Sequence, residues 1–383
     1  MRGPAYDFEL TELTEQEQEL QRTVRAFVAE QAHRWQGTPG LGMGAAADRE
    51  FSKLLGARGW LGMGLPVAYG GGGRSMVERF VVVEELLRAG APVAHHWFAD
   101  RQSGMVIAKY GTEDQKRRFL PGICAGELAF CVGMSEPDSG SDLASVTTRA
   151  VPHRSGWLLN GTKVWTSGAQ YSDWMIALVR TSAEADRHAG LSQVLVDLRA
   201  PGVRVSPIQL LTGESDFCEV SLVDVWIGPD QVLGVVGEGW AQVTSELAYE
   251  RSGPERWLST YLVLEAFLRA QSGDPDPEAL SVIGEMTARM WALRLLSLSM
   301  ARALDAGRLP VVESSMVKEM ATRFEQELLG RIQELVDVEP DLTSDVDFER
   351  LLGRAVLAAP IFTLRGGTIE ILRTVVAKGL CRG

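Results

Sequence analysis

Gly133-Met-Ser-Glu-Pro-Asp-Ser-Gly-Ser-Asp-Leu-Ala-Ser145 stands where the spacing of apolar residues along the chain changes. Upstream, residues 11–127 read as helices. Thr11 to Ala32 carries Leu13, Leu20, Val24 and Phe27 at helical spacing, with charges between them. Another helix runs through Phe51, Leu54 and Leu55, and helices resume at Ser75–Ala89 and His95–Tyr110. Thr112-Glu-Asp-Gln-Lys116 opens one more, with Thr112 as N-cap and acids in the first turn. Pro66-Val-Ala-Tyr-Gly-Gly-Gly-Gly73 is a turn, without the pattern of a phosphate loop. From about Leu128 to Leu233 the period is two. Trp157-Leu-Leu, Val164-Trp-Thr, Trp174 to Val179 and Gln193-Val-Leu-Val read as strands, and Asn160-Gly161 as a hairpin turn. The quoted stretch suits a tight loop whose N–H groups and hydroxyls hold an anionic or heteroaromatic ligand, or an elaborate turn between strands.

From Gly237 onward helices return. The clearest stripe is Met316, Met320, Phe324, Leu328, Ile332 and Leu335, its methionines read as core filler. Ser315-Met-Val-Lys318 fits an S-x-x-K pattern, but no S-D-N or K-T-G accompanies it, so that reading is rejected. The expected fold is α+β and multi-domain: an N-terminal helical domain (1–127), an antiparallel β-barrel or sandwich (128–235) and a C-terminal helical bundle (236–383). In Ser245-Glu-Leu-Ala-Tyr-Glu-Arg-Ser-Gly-Pro254, Glu250 and Arg251 occupy the next places of the stripe Trp240, Val243, Leu247. Pro254 removes a bond to the Glu250 carbonyl. Two readings stand: a buried ion pair closing a kinked helix, or a carboxylate in a dry pocket that moves a proton.

A chain of 383 residues, 45% hydrophobic and 23% charged, is ordinary for a globular protein of two or three domains. Its net charge of −12 argues against nucleic acid and anionic membranes as general partners. Cys124, Cys131, Cys218 and Cys381 form no C-x-x-C pair, and the five histidines lack metal-ligand spacing, so no metal site is expected. There is no long apolar run and no apolar core near Met1, so the expectation is a cytoplasmic protein.

The Gly133–Ser145 stretch resembles a motif of the acyl-CoA dehydrogenases. So do Tyr110-Gly-Thr-Glu-Asp-Gln-Lys-Arg-Arg-Phe-Leu-Pro121 before it and Asn160-Gly-Thr-Lys-Val-Trp-Thr-Ser-Gly168 after it. Domain order and length agree, so the resemblance covers nearly the whole chain. It implies FAD, with Met134 and Ser135 bordering the pyrimidine side of the flavin and Gly140 and Ser141 near its pyrophosphate. Trp165 would pack on the isoalloxazine and Ser167 would lie near N5. Thr368 and Glu370 would approach the ribityl-to-adenosine portion. The helix His95–Ser103 would border the acyl pocket, with Ala99 a small residue on it, while His95 and His96 stay packed or solvated. The implied reaction takes an α-proton from an acyl thioester (acyl-CoA or acyl carrier protein) to a glutamate and a β-hydride to flavin N5. An electron-transferring flavoprotein or similar acceptor would reoxidise the cofactor.

Two places depart from the family pattern. Most members carry the base in a C-terminal Tyr-Glu-Gly-Thr, where this chain reads Arg365-Gly-Gly-Thr368. Some branches, including ones acting on branched, long or steroid side-chain thioesters, place the glutamate on the first long helix of the C-terminal domain, just before an arginine. Glu250-Arg251 matches that arrangement, with Arg251 as support on the substrate side. Homotetrameric members also carry Arg-x-x-Phe-Gly and Gln-x-x-Gly-Gly stretches that hold a neighbour's FAD. Here those regions read Leu262 to Gln271 and Val336 to Leu342, with neither motif. Bacterial steroid-degrading members that pair unlike subunits show a similar loss, so the expectation is an oligomer, homo- or hetero-, with an unlike partner as the hypothesis. Competing functions are a flavin monooxygenase of the same fold, distinguished by oxygen consumption and hydroxylation, and a non-catalytic subunit. Gly366 favours the non-catalytic reading, and Glu250 weighs against both.

Overall fold

The structure, a computed structural model, describes residues 6–42, 46–271 and 276–382; the side chains of 246–250 and 382 lie outside what it describes. Helices α1 (Glu15–Gln31), α2 (Arg49–Ala57), α3 (Met76–Arg88), α4 (Ala94–Phe98), α5 (Gly104–Tyr110) and α6 (Glu113–Cys124) come first. The strands are β1 (Phe130–Gly133), β2 (Arg149–His153), β3 (Gly156–Ser167), β4 (Trp174–Arg180), β5 (Leu191–Asp197), β6 (Val203–Ile208), β7 (Phe217–Ile227) and β8 (Val232–Leu233). Then follow α7 (Gly239–Glu250), α8 (Tyr261–Ala270), α9 (Pro277–Asp305), α10 (Val311–Leu335), α11 (Asp347–Phe362) and α12 (Ile369–Arg382). Helix starts are encoded locally. Thr14, Ser75 and Thr112 each cap the N–H three residues on, and the side chains there, Glu17, Glu78 and Gln115, accept from the cap's own N–H. Between α4 and α5, Ala99–Ser103 winds as a π turn inside the helix expected from His95 to Tyr110.

The chain forms two compact units: one of Ala47–Arg74 and Val93–Leu247, the other of Met1–Ala46, Ser75–Pro92 and Ala248–Gly383. In the first, the sheet runs β6-β7-β3-β2-β4-β5-β8, with β1 also paired to β4. Most pairs are antiparallel as expected, but β1 lies parallel to β4, from Phe130 opposite Trp174 to Gly133 opposite Ala177. The long connection between them, which includes β2 and β3, supplies the crossover that a parallel pair needs. Along β5, Val194 and Val196 enter one apolar cluster with Met175, Val220 and Val225. Leu195 enters another with Phe119, Leu120, Phe130 and Ile176, contributed partly by α6. The strand is therefore apolar on both faces.

The hairpin expected at Asn160-Gly161 is absent. These residues lie inside β3, at a register shift against β7. The Asn160 amide exchanges two 3.0 Å bonds with Asp224 across the strands, and at Gly161 (φ 153°) a Cβ would stand 2.4 Å from Thr148 Oγ1. Glycine therefore serves close packing in a bulge rather than a turn. The β2–β3 hairpin instead turns at Arg154-Ser155, with Arg154 at φ 53°.

In the second unit, α1 and α9 pack on α3, whose buried Glu84 and Glu85 meet Arg294 at 2.6 Å and Arg25 at 2.8 Å. The stripe expected for α10 is only partly the buried one. Phe324, Leu328 and Ile332 are buried, while Met320 is exposed. Ser315, Lys318, Thr322 and Glu325 are buried in place of the upper part of that stripe.

Candidate functional site

In the first unit, a buried ion pair ties the Gly133–Ser145 loop to β3. Lys163 Nζ lies 2.7 Å from Glu136 Oε1 and donates to the Met134 carbonyl at 3.2 Å. Glu136 also accepts from the N–H and hydroxyl of Thr147 and the N–H of Thr148, at 2.7–2.9 Å. Burial pushes the Glu136 carboxyl up, but the Lys163 ammonium and these bonds outweigh it and hold it at about 2. Burial also lowers Lys163, to about 8, against the pull of Glu136. Both values leave the pair ionised at neutral pH. Neither residue was singled out as a site residue in the sequence.

Val164 N–H donates to the Ser135 carbonyl at 2.9 Å, which sets Met134 and Ser135 beside Trp165. Trp165 sits at an irregularity of the β3–β7 ladder with φ 57°, is 56% exposed, and meets Phe217 edge-on at 6.1 Å. A large aromatic held open on a left-handed residue offers a platform for a flat ring. Ser167 is half-buried two residues on. Around the loop, Gly140 has open space where a Cβ would be, Ser141 is exposed, and Asp142 pairs with Arg187. Met134, Ser135, Trp165 and Ser167 are thus brought together, with Gly140 and Ser141 further along the same loop. The open aromatic face and uncluttered Gly-Ser end fit a flavin with its phosphates.

In the second unit, α7 ends at Glu250, whose side chain lies outside the described residues. The expected kink is a full break. Ser252-Gly253 bends, Pro254–Arg256 makes a short 3-10 turn, and α8 begins only at Tyr261. Arg251 is buried and donates from Nη1 to Ser315 Oγ at 3.3 Å. After α11, Arg365 reaches Glu325 at 2.6 Å and Ser259 Oγ at 2.9 Å, while Glu325 accepts the Ser259 N–H at 2.8 Å. Burial pushes Glu325 up and Arg365 down, against their mutual attraction. Gly366 and Gly367 have φ 69° and 93°. Thr368 accepts the Ile371 N–H at 3.4 Å, and Glu370 is exposed in the first turn of α12.

The buried polar residues of α10 bind these same segments. Ser315 meets Arg251, Lys318 and Thr322 donate to the Phe362 carbonyl at 3.1 and 3.2 Å, and Glu325 meets Ser259 and Arg365. Their i, i+3, i+7, i+10 spacing is legible in the sequence beside the apolar stripe. Ala99 is fully buried at the start of the π turn, clustered with Leu65, Ile107 and Phe119. His96 Nδ1 lies 2.9 Å from Ser52 Oγ, and burial lowers the pKa of His95, so both are packed helix residues. Among the described residues there is no metal-binding group of His, Cys, Asp and Glu, and no helix long and apolar enough to cross a membrane.

The chain matches the acyl-CoA dehydrogenase N-terminal domain over residues 14–127, the middle domain over 131–225 and the C-terminal domain over 269–381. It belongs to the acyl-CoA dehydrogenase family, oxidoreductases acting on a CH–CH bond. Acyl-CoA dehydrogenase IpdE1 of Mycobacterium tuberculosis is 36% identical over 342 residues, 86% of each chain. Acyl-CoA dehydrogenase FadE26 of the same organism is 31% identical over 399 residues, 96% of this chain and 98% of that one. Among solved structures, the ChsE4-ChsE5 complex from Mycobacterium tuberculosis aligns with a TM-score of 0.84 at 27% identity, over 98% and 99% of the two chains. The Tcur3481-Tcur3483 steroid ACAD aligns with a TM-score of 0.83 at 29% identity, over 96% and 97%.

Proposed function

We propose that the chain is an FAD-dependent acyl thioester α,β-dehydrogenase in which Glu250 takes the α-proton. The observation that carries this reading is the turn Arg365-Gly366-Gly367-Thr368. Its two glycines offer no carboxylate, and its arginine is engaged with Glu325. Glu250, at the end of α7 beside buried Arg251, is the remaining candidate from the family pattern. Bound FAD would supply a hydride acceptor at N5. The chain's share is positioning and proton transfer. Trp165 would carry the isoalloxazine ring, with Met134 and Ser135 at its pyrimidine edge and the Ser167 hydroxyl near N5. Gly140 and Ser141 would hold the pyrophosphate, and Thr368 and Glu370 the ribityl-to-adenosine portion. Glu250 would remove the α-proton, and Arg251, steadied by Ser315, would keep the end of α7 in place on the substrate side. Ala99 remains a proposed small residue of the acyl pocket, and 1–127, 128–235 and 236–383 the proposed domains.

The acyl carrier is coenzyme A or an acyl carrier protein, and the oxidant an electron-transferring flavoprotein or similar acceptor in the cytoplasm. Likeness to the steroid ACAD supports a bulky acyl group. Anaerobic titration with a panel of acyl thioesters tests the base. Wild type should bleach its flavin with a matching substrate, while Glu250→Gln should bleach at least about 1,000-fold more slowly, the range expected when an essential proton-transfer group is lost. Full bleaching of the variant at the wild-type rate would sink the assignment.

A further inference from the structure

The Gly366-Gly367 turn packs against two buried guanidinium groups. A Cβ built on Gly366 would stand 2.8 Å from Nη2, 2.9 Å from Cζ and 3.0 Å from Nη1 of Arg256, closer than real Cβ contacts come. A Cβ on Gly367 would lie 3.6 Å from Arg251 Nη2. Arg256 is only 1% exposed, so its head has little freedom to retreat. It is carried on the 3-10 turn Pro254–Arg256, with Glu255 3.5 Å away. Both glycines have left-handed φ, which adds a backbone penalty for any side chain there. Arg365, the residue before the pair, is turned to Glu325 instead.

We infer that Arg256 is a positioning residue that reserves the base position for Glu250. Its guanidinium fills the space a side chain at 366 would need and places a positive charge there. A glutamate introduced at 366 starts against that charge, and its carboxylate is held by it as an ion pair, not left free to take a proton. The break after α7, which delivers Arg256 to this place, and the glycine turn are therefore two halves of one device. The inference rests on the assignment of the base to Glu250, and its test separates the two.

The test moves the base. Glu250→Gln alone should lose activity; if it stays active, the base assignment falls and this inference with it. Glu250→Gln with Gly366→Glu should remain within threefold of Glu250→Gln, and a tenfold or larger recovery overturns the role of Arg256. Adding Arg256→Ala to that double variant should raise kcat at least tenfold, with KM for the same acyl thioester changed less than threefold. A purely structural arginine gives no such gain when removed. Flavin absorbance and a thermal melt confirm that each variant is folded. If the alanine variant does not retain flavin, Arg256→Gln, which keeps a polar side chain but removes the charge, takes its place with the same expected gain. A flavin-bearing triple variant that stays flat overturns the inference.

Discussion

Glu136 and Lys163 show how single residues hold the cofactor loop. Glu136 is depressed from 4.5 to about 2, so its contribution to stability is complete above pH 4.5 and is lost as pH falls through about 2. Urea midpoints of wild type should therefore fall between pH 5 and 2 more steeply than those of Glu136→Gln. Parallel slopes for the two proteins would show that the pair does not govern acid stability. Replacing Lys163 by methionine strands a buried carboxylate and should cost about 3–5 kcal/mol at pH 7, read from the same titrations. At this scale the sequence was half legible. Trp165 and Ser135 stood in motifs with a ligand chemistry, whereas Lys163, in the same motif as Trp165, carried no assigned role. Nothing local says that residue 163 will face residue 136, because that pairing exists only once the loop folds back on β3.

Among the elements, helices and strands were largely readable from their periods, and the failures have physical causes. Asn160-Gly161 carries the composition of a hairpin turn, but Asn160 spends its amide on Asp224 and Gly161 admits Thr148, so the strand runs through. In α10, the apolar stripe is visible in the sequence, while the purpose of the polar one beside it appears only in the fold, where it meets both the turn after α7 and the turn after α11. That polar seam predicts a specific energetics. Glu325→Leu leaves Arg365 buried without its carboxylate partner and should destabilise the fold by about 3–5 kcal/mol. Adding Arg365→Met should recover most of that loss, because removing both charges also removes their desolvation cost. Guanidinium unfolding of the two single variants and the double variant gives the coupling directly. Additive losses would mean that Glu325 and Arg365 act independently, against the 2.6 Å contact between them.

For the whole molecule, the missing motifs bear on assembly. The family's two stretches that reach a neighbour's FAD are missing, and their places are occupied by Leu262 to Gln271, in α8 and at its C-cap, and by the segment Val336 to Leu342 after α10. Two of the similar solved structures are described by paired names, ChsE4-ChsE5 and Tcur3481-Tcur3483. On α9, Trp291 is 59% exposed and Leu280 is exposed on the same helix. On these grounds we propose that the chain completes its cofactor site with an unlike subunit. Expressed alone, it should purify with well under one FAD per chain and should gain flavin when co-expressed with an acyl-CoA dehydrogenase-like partner from the same genome. Absorbance at the flavin band gives the stoichiometry, and light scattering gives the mass of the assembly. The partner should also raise the melting temperature, because bound flavin and a covered apolar face both favour the folded state. A homogeneous homo-oligomer carrying one FAD per chain from single-chain expression would refute the unlike partner, while leaving Glu250 as the proposed base.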